Sequence, residues 1–68
     1  MATTLNLPED KDYLADAMQQ YGGSFVQALG AALRRADRAN TYRILATWPE
    51  YVGEYTDWAL ALKEFPHD

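Results

Sequence analysis

Carboxylates spaced three or four residues apart are the first candidates for a functional site in this sequence. In the segment TWPEYVGEYTDW they are Glu50, Glu54 and Asp57, and near the N-terminus the same spacing joins Asp12 and Asp16. Paired carboxylates can act as general acid and base, but they need a cleft for that work. We expect a chain of 68 residues to be too small for a deep cleft.

Other catalytic chemistry has few candidates. The chain has no Cys, and its one His, His67, stands next to the C-terminus. Nucleophilic catalysis needs Ser or Cys near a base such as His, and Ser24 is better placed as a helix cap. Disulfides are excluded, and one His without Cys cannot assemble a His/Cys zinc site. We therefore expect no enzyme activity, no metal and no cofactor.

A row of carboxylates can instead form a binding surface. Acids three or four residues apart on a helix are separated by roughly 5–6 Å, which is on the order of the phosphate spacing along a nucleic-acid strand. Such a row on a rigid helix could occupy a basic groove built for DNA or RNA. A solvated acidic face is the commoner meaning of this pattern, and both interpretations stay open.

The arginines are clustered as well. Arg34, Arg35, Arg38 and Arg43 fall within ten residues, where a helix–turn–helix DNA reader would carry basic groups. The flanking segments are acidic, however, and the formal charge of the whole chain is −4. Pairing with the chain's own acids would explain these arginines equally well, so a DNA-binding regulator is kept as an alternative.

Four helices joined by short turns must position these groups. Pro8 suits a first helical position, Gly22 a left-handed stop, and Asp37 an N-cap that separates the second helix from the third. Pro49 opens the last helix and makes Trp48 a corner. No segment alternates with a period of two, so the predicted fold is all-α, bundle-like or orthogonal. The predicted helices are 8–21, 25–36, 38–47 and 49–63, in one domain of residues 8–65 with a flexible arm at 1–7 and a tail at 66–68.

Helical periodicity predicts which side chains face inward. In the second helix Gly30 costs about 1 kcal/mol relative to Ala, so we expect another helix to approach it closely. The predicted inner faces are Leu14, Ala17, Met18 and Tyr21; Phe25, Val26, Leu29, Ala32 and Leu33; Tyr42, Leu45 and Ala46; and Tyr51, Tyr55, Trp58 and Leu62. The predicted partner-binding residues are the five acids named first, with Tyr51 and Tyr55 as rings at the edge of the surface.

The stretch YGGSFVQALGAALRRADRANTYRILATWPEYVGEY resembles small helical proteins encoded in phages and prophages. Their shared pattern is a Tyr/Phe-Gly-Gly-Ser-Phe-Val start, an Ala-Asp-x-x-Asn middle and a Phe/Trp-Pro-Glu-Tyr end. Here these elements are Tyr21 to Val26, Ala36 to Asn40 and Trp48 to Tyr51, and the match covers about half of the chain. Arg38 stands where the pattern has Pro.

The resemblance implies a phage protein in the cytoplasm of a bacterial host. Small acidic phage proteins without catalytic residues often bind and block host defence complexes, as anti-CRISPR proteins do. The leading expectation is therefore an inhibitor that places its acidic helix faces in the basic groove of a host protein or ribonucleoprotein. A phage structural or assembly protein, closed as a homodimer through aromatic faces, is a further alternative. No apolar run approaches the roughly 20 residues that a membrane span needs.

Overall fold

Four α-helices make up the part of the chain that the computed structural model describes, residues 4–65. α1 spans Lys11–Tyr21, α2 Ser24–Arg35, α3 Arg38–Thr47 and α4 Pro49–Glu64, and residues 4–65 contain no strand. The predicted all-α fold of four helices is confirmed. The largest difference between the predicted and observed helix boundaries is at the start of α1, which begins three residues after Pro8 because residues 7–10 form turns. The predicted tail, 66–68, lies outside the described residues.

α1 is the central helix, since its contacts with α2 and with α4 are the most extensive between elements, whereas α3 touches α2 and α4 over less area. The buried apolar core comes from these three helices. It consists of Leu14, Ala15, Ala17 and Met18 of α1, Val26, Leu29 and Leu33 of α2, and Tyr55 and Ala59 of α4. The only buried residue of α3 is Thr41, whose hydroxyl has no hydrogen-bond partner among residues 4–65.

Gly30 lies at the contact between α1 and α2. A Cβ at this position would stand 3.0 Å from the carbonyl oxygen of Ala15 and 3.0 Å from the Cβ of Met18. The predicted close approach is therefore confirmed, because the two backbones meet where the side chain is missing. This contact offsets the low helix propensity of Gly30.

Gly22 ends α1 in a way that the sequence did not predict. Its φ of −84° and ψ of 161° are extended rather than left-handed. A Cβ there would lie 2.5 Å from Cγ1 of Val26 and 2.6 Å from the carbonyl oxygen of Met18. Gly22 is thus required for space, not for a positive φ. The cap of α2 also differs by one residue, since Gly23 is the N-cap and Gln27 Nε2 donates to the carbonyl of Gly22 at 2.9 Å.

The two boundaries of α3 follow the prediction. Asp37 is the N-cap, and its Oδ1 accepts from the backbone N–H of Asn40 at 2.8 Å. That bond satisfies one of the unpaired N–H groups of a helix start. At the other end Trp48 leaves the helical region at φ −126° and ψ 60°, and Pro49 begins α4.

Several side chains predicted to face inward are exposed. Tyr21 is 51% exposed, Phe25 55% and Tyr42 48%, and Ala32 and Ala46 are exposed as well. In α3 the face that packs against the core is rotated relative to the predicted one, which leaves Tyr42 and Ala46 exposed. The covered face comprises Thr41 and the half-buried Ile44, Leu45 and Trp48. Tyr21 and Phe25 flank the turn between α1 and α2, at helix ends that neighbouring helices cover only in part.

Lys11 connects the start of α1 to the end of α2. Its Nζ donates to the carbonyl oxygens of Leu33 at 3.0 Å, Arg34 at 2.9 Å and Ala36 at 2.5 Å. These carbonyls belong to the last turn of α2 and its cap. The carbonyl of Leu33 also accepts from the backbone N–H of Ala36 at 3.2 Å, whereas those of Arg34 and Ala36 lie beyond the last intrahelical donor. A cation is also favoured at this negative end of the helix dipole. The three bonds use all three donors of the ammonium group.

Residues 4–7, the described part of the predicted flexible arm, lie against the helices. Leu5 and Leu7 pack against the core. Lys63 Nζ, near the end of α4, donates to the carbonyl of Thr4 at 2.8 Å and to Asp10 Oδ2 at 2.5 Å. The hydrogen bond from Lys63, followed by one from the Asn6 backbone, lowers the pKa of Asp10. The packing of its two leucines and its hydrogen bonds with Lys63 and Asp10 hold this segment against the helices.

We predict that Gly30→Ala destabilises the domain although Ala is the better helix former. Its methyl group must displace the backbone of Ala15, and overpacking of this kind costs about 1–3 kcal/mol. Gly53, inside α4, is the matched control, because a Cβ there meets nothing within 4 Å. Gly53→Ala should raise the free energy of unfolding by about 1 kcal/mol. Urea unfolding followed by circular dichroism measures both, and equal effects of the two substitutions would contradict the close contact.

Replacement of Lys11 by Met should lower the free energy of unfolding by about 1–2 kcal/mol, because it leaves three carbonyls at the end of α2 without their charged donor. Met keeps most of the apolar stem, so the loss reports the ammonium group. Arg35→Met, an exposed change at the same helix end, should stay within about 0.5 kcal/mol of the parent. Thermal and urea unfolding measure the stability of both variants. If Lys11→Met were as stable as the parent, Lys11 would not stabilise the end of α2.

Candidate functional site

The acidic face of α4 consists of Glu50, Glu54 and Asp57, all of which are exposed. By helical phase these three side chains point away from the side that buries Tyr55 and Ala59. None of them forms an ion pair with a cation of residues 4–65. The three carboxylates therefore carry their charges toward solvent, at the spacing that the sequence indicated.

The acids of α1 are placed differently. Asp16, a predicted partner-binding residue, pairs with Arg34 NH2. Nε and NH2 of Arg34 also donate to Gln19 Oε1 at 3.3 and 3.1 Å. Asp16 is thus neutralised at the edge between α1 and α2, because the close helix contact brings Arg34 within reach. Asp12 is exposed and has no ion pair in the part of the chain that the structure covers.

The two tyrosines predicted for the edge of the surface have separate positions. Tyr55 is only 6% exposed and belongs to the core, which corrects its predicted place in a partner contact. Burial raises the pKa of its phenol, with a smaller contribution from Glu54. Tyr51 is half-buried, with its ring centroid 6.1 Å from that of Phe25. Only Tyr51 is therefore available at the edge.

An aromatic patch, made of Tyr21, Phe25, Tyr51 and Trp58, lies beside the acidic face. Sequence reasoning placed Tyr51 at the edge of that surface but missed the other three rings. Trp58 is 43% exposed and stacks on Tyr21, with centroids 4.5 Å apart and planes at 22°. The sequence contained a signal for this patch, because Tyr21 and Phe25 flank the Gly-Gly turn. The turn places both rings against aromatic residues of α4. Trp58 follows Asp57 directly and lies one helical turn after Glu54, so the patch borders the acidic face.

The arginine cluster separates into two pairs. Arg34 is bonded to Asp16. Arg38 lies 3.8 Å from Glu9 Oε1 and 5.8 Å from the centroid of the Tyr42 ring. Arg35 and Arg43 are exposed, and neither is ion-paired within residues 4–65. A DNA reader that uses all four guanidinium groups is therefore not favoured, because two of them are engaged within the molecule.

Within residues 4–65, no group of three or more His, Cys, Asp or Glu side chains is arranged to hold a metal ion. None of the four helices there is both long enough and apolar enough to span a bilayer.

Comparison with protein-family models, curated proteins and solved structures found no match to this chain. The fold and the site therefore define its class by themselves: an all-α domain of four helices that presents an acidic face beside exposed rings. The resemblance to phage-encoded proteins stays a prediction.

Proposed function

We propose that this chain is a binding inhibitor of the anti-CRISPR type, encoded by a phage, which blocks nucleic-acid binding by a host CRISPR effector complex in the bacterial cytoplasm. The observation that carries the proposal is the set of exposed carboxylates on α4, Glu50, Glu54 and Asp57, which form no ion pair within residues 4–65 and lie next to the aromatic patch. The choice of a CRISPR complex comes from the resemblance to phage-encoded proteins alone.

The acidic face supplies the electrostatic part of the binding. A groove lined with Lys and Arg to hold a nucleic-acid strand attracts any rigid row of negative charges. Carboxylates accept charge-assisted hydrogen bonds from guanidinium groups, often in bidentate form. The helix fixes the spacing of Glu50, Glu54 and Asp57, so little backbone entropy is lost on binding. Complementary charges of this kind accelerate association and select the partner.

The aromatic patch supplies the apolar part. Exposed rings beside charged side chains are typical of protein interfaces, in which Trp and Tyr contribute much of the binding free energy. Guanidinium groups of the partner can also stack on Trp58 and Tyr21 while they reach Glu54. The combination of rings and acids thus favours a partner that binds through a protein groove rich in arginine, rather than through a purely polar surface.

Reversal of two charges on the acidic face is expected to abolish inhibition. With Glu54→Arg and Asp57→Arg together, the basic groove meets cations, and binding should fall more than tenfold while the far-UV spectrum stays unchanged. Capture from a host lysate identifies the effector, and competition with its DNA target measures inhibition at several salt concentrations. Binding by the parent chain should weaken steeply with salt, since exposed charges are screened over about 10 Å at 0.1 M.

The matched control compares a single charge reversal on α4, Glu54→Arg, with a single charge reversal on α1, Asp12→Arg. Both residues are exposed acids without an ion pair in the described range, so the two variants change the net charge equally. A larger loss for Glu54→Arg places the contact on α4. If the variant with both Glu54→Arg and Asp57→Arg still inhibited fully, the proposal would be wrong.

Truncation of Trp58 to Ala should weaken partner binding by at least tenfold, the size of effect found for ring anchors at interfaces. Phe65→Ala is the control, since Phe65 is 71% exposed and lies outside the aromatic patch. Affinity measured on the captured partner should separate the two variants, with the melting temperatures checked alongside. Equal affinities would show that the patch is not part of the contact.

A phage structural or assembly protein is the second candidate, and the aromatic patch favours it as well. Two copies could cover their exposed rings by pairing them, as apolar patches on small domains often do. Light scattering distinguishes this arrangement, because a homodimer has twice the mass of the chain and Trp58→Ala should return it to the monomer. Detection of the chain in purified particles would favour this function over inhibition.

A further inference from the structure

A basic groove separates α2 from α3 on a part of the surface that carries no residue of the acidic face. Its volume is about 340 Å³, within the roughly 300–1,000 Å³ range of small-molecule sites. The groove is lined by Ala32, Arg35, Ala36, Asn40, Arg43 and Ile44.

The residues that line this groove are basic or uncharged, and the Asp37 carboxylate beside it is hydrogen-bonded to the N–H of Asn40. Arg35 and Arg43 contribute two positive charges, and no carboxylate is among the lining residues. Neither arginine has an ion pair within residues 4–65, whereas Arg34, Arg38 and Lys63 each have one there. In a chain with more acids than bases, two guanidinium groups that share a cavity without an acid mark a place where an anion is favoured.

The donors of the groove match a phosphate group. A guanidinium group offers a planar fork that bonds two oxygens of a carboxylate or a phosphate. Two such forks, with the Asn40 amide as a further donor, provide more hydrogen bonds than one carboxylate with two oxygens can accept. A phosphate has enough oxygens for both forks. Ala32, Ala36 and Ile44 form an apolar part of the lining, which suits a sugar or base attached to that phosphate.

We propose that the groove between α2 and α3 binds a phosphate group, with Arg35 and Arg43 as its two charged ligands and Asn40 as a hydrogen-bond donor. The phosphate belongs either to a free nucleotide or to the backbone of a nucleic-acid strand. This site uses no residue of the acidic face or of the aromatic patch, so it stands independently of the proposed inhibition.

The test is an NMR titration of the full chain with inorganic phosphate, AMP and a short oligothymidylate. Ile44 is the only isoleucine in the sequence, so its δ1 methyl gives a single, assigned signal inside the groove. Saturable shifts of that signal are expected with phosphate and with AMP. Arg43→Ala should weaken AMP binding about tenfold, because it removes one of the two charge-assisted contacts.

Arg38→Ala is the matched control, because it removes an equal charge from the same helix but Arg38 does not line this groove. It should change AMP affinity by less than about twofold, as an exposed charge outside the contact does. Arg43→Lys, which keeps the charge but loses the planar fork, should lie between the parent and Arg43→Ala. Circular dichroism confirms that each variant is folded.

The two sources of phosphate are separated by the third probe. A strand that binds more tightly than AMP, with a salt dependence of about −0.7 per phosphate contact, identifies a nucleic-acid backbone. A strand that binds no better than AMP identifies a nucleotide, and either result supports the site. The absence of an Ile44 shift with every probe, or an equal loss of affinity in Arg38→Ala and Arg43→Ala, would overturn it.

Discussion

The close contact between α1 and α2 is the constraint on which the rest of the structure depends. Gly30 lets the two backbones meet at Ala15, and Lys11 fastens the start of one helix to the last carbonyls of the other. A domain of this size buries only about 60% of its unfolded surface and here has no disulfide to restrict the unfolded chain. Its stability must come from helix packing, and the contact between α1 and α2 is the most extensive one in the described fold.

The same constraint explains why so many rings remain outside. Small and aliphatic side chains fill the space beside α1, and Tyr55 is the only one of the nine aromatic residues that the core buries. Periodicity predicted several rings for the inner faces, but two helices in backbone contact leave no room for large side chains between them. Tyr21, Phe25 and Trp58 therefore remain exposed, and Tyr21 and Trp58 stack on each other.

Local chemistry made both boundaries of α3 and the start of α4 predictable, whereas the exposure of individual residues depended on distant contacts. Asp37 and the Trp48-Pro49 pair act through their own backbone, so their roles follow from the sequence. Periodicity defines a stripe on each helix, but the position of the neighbouring helix decides which half of it is covered, which is why Tyr42 faces solvent. The Asp16–Arg34 pair joins residues 18 apart and needs the Gly30 contact, so no local pattern could have revealed it.

The distribution of charge is not dictated by stability, and this gives it functional meaning. Exposed ion pairs contribute only about 0–1 kcal/mol, so folding would be almost indifferent to a cation beside Glu54 or to an acid beside Arg43. Nevertheless the described ion pairs all lie elsewhere and involve Glu9, Asp10 and Asp16. The acidic face of α4 is left with negative charges only, and the residues that line the groove between α2 and α3 carry positive charges only. Two surfaces of opposite charge on one small domain suit two different ligands, a basic protein for the first and a phosphate for the second.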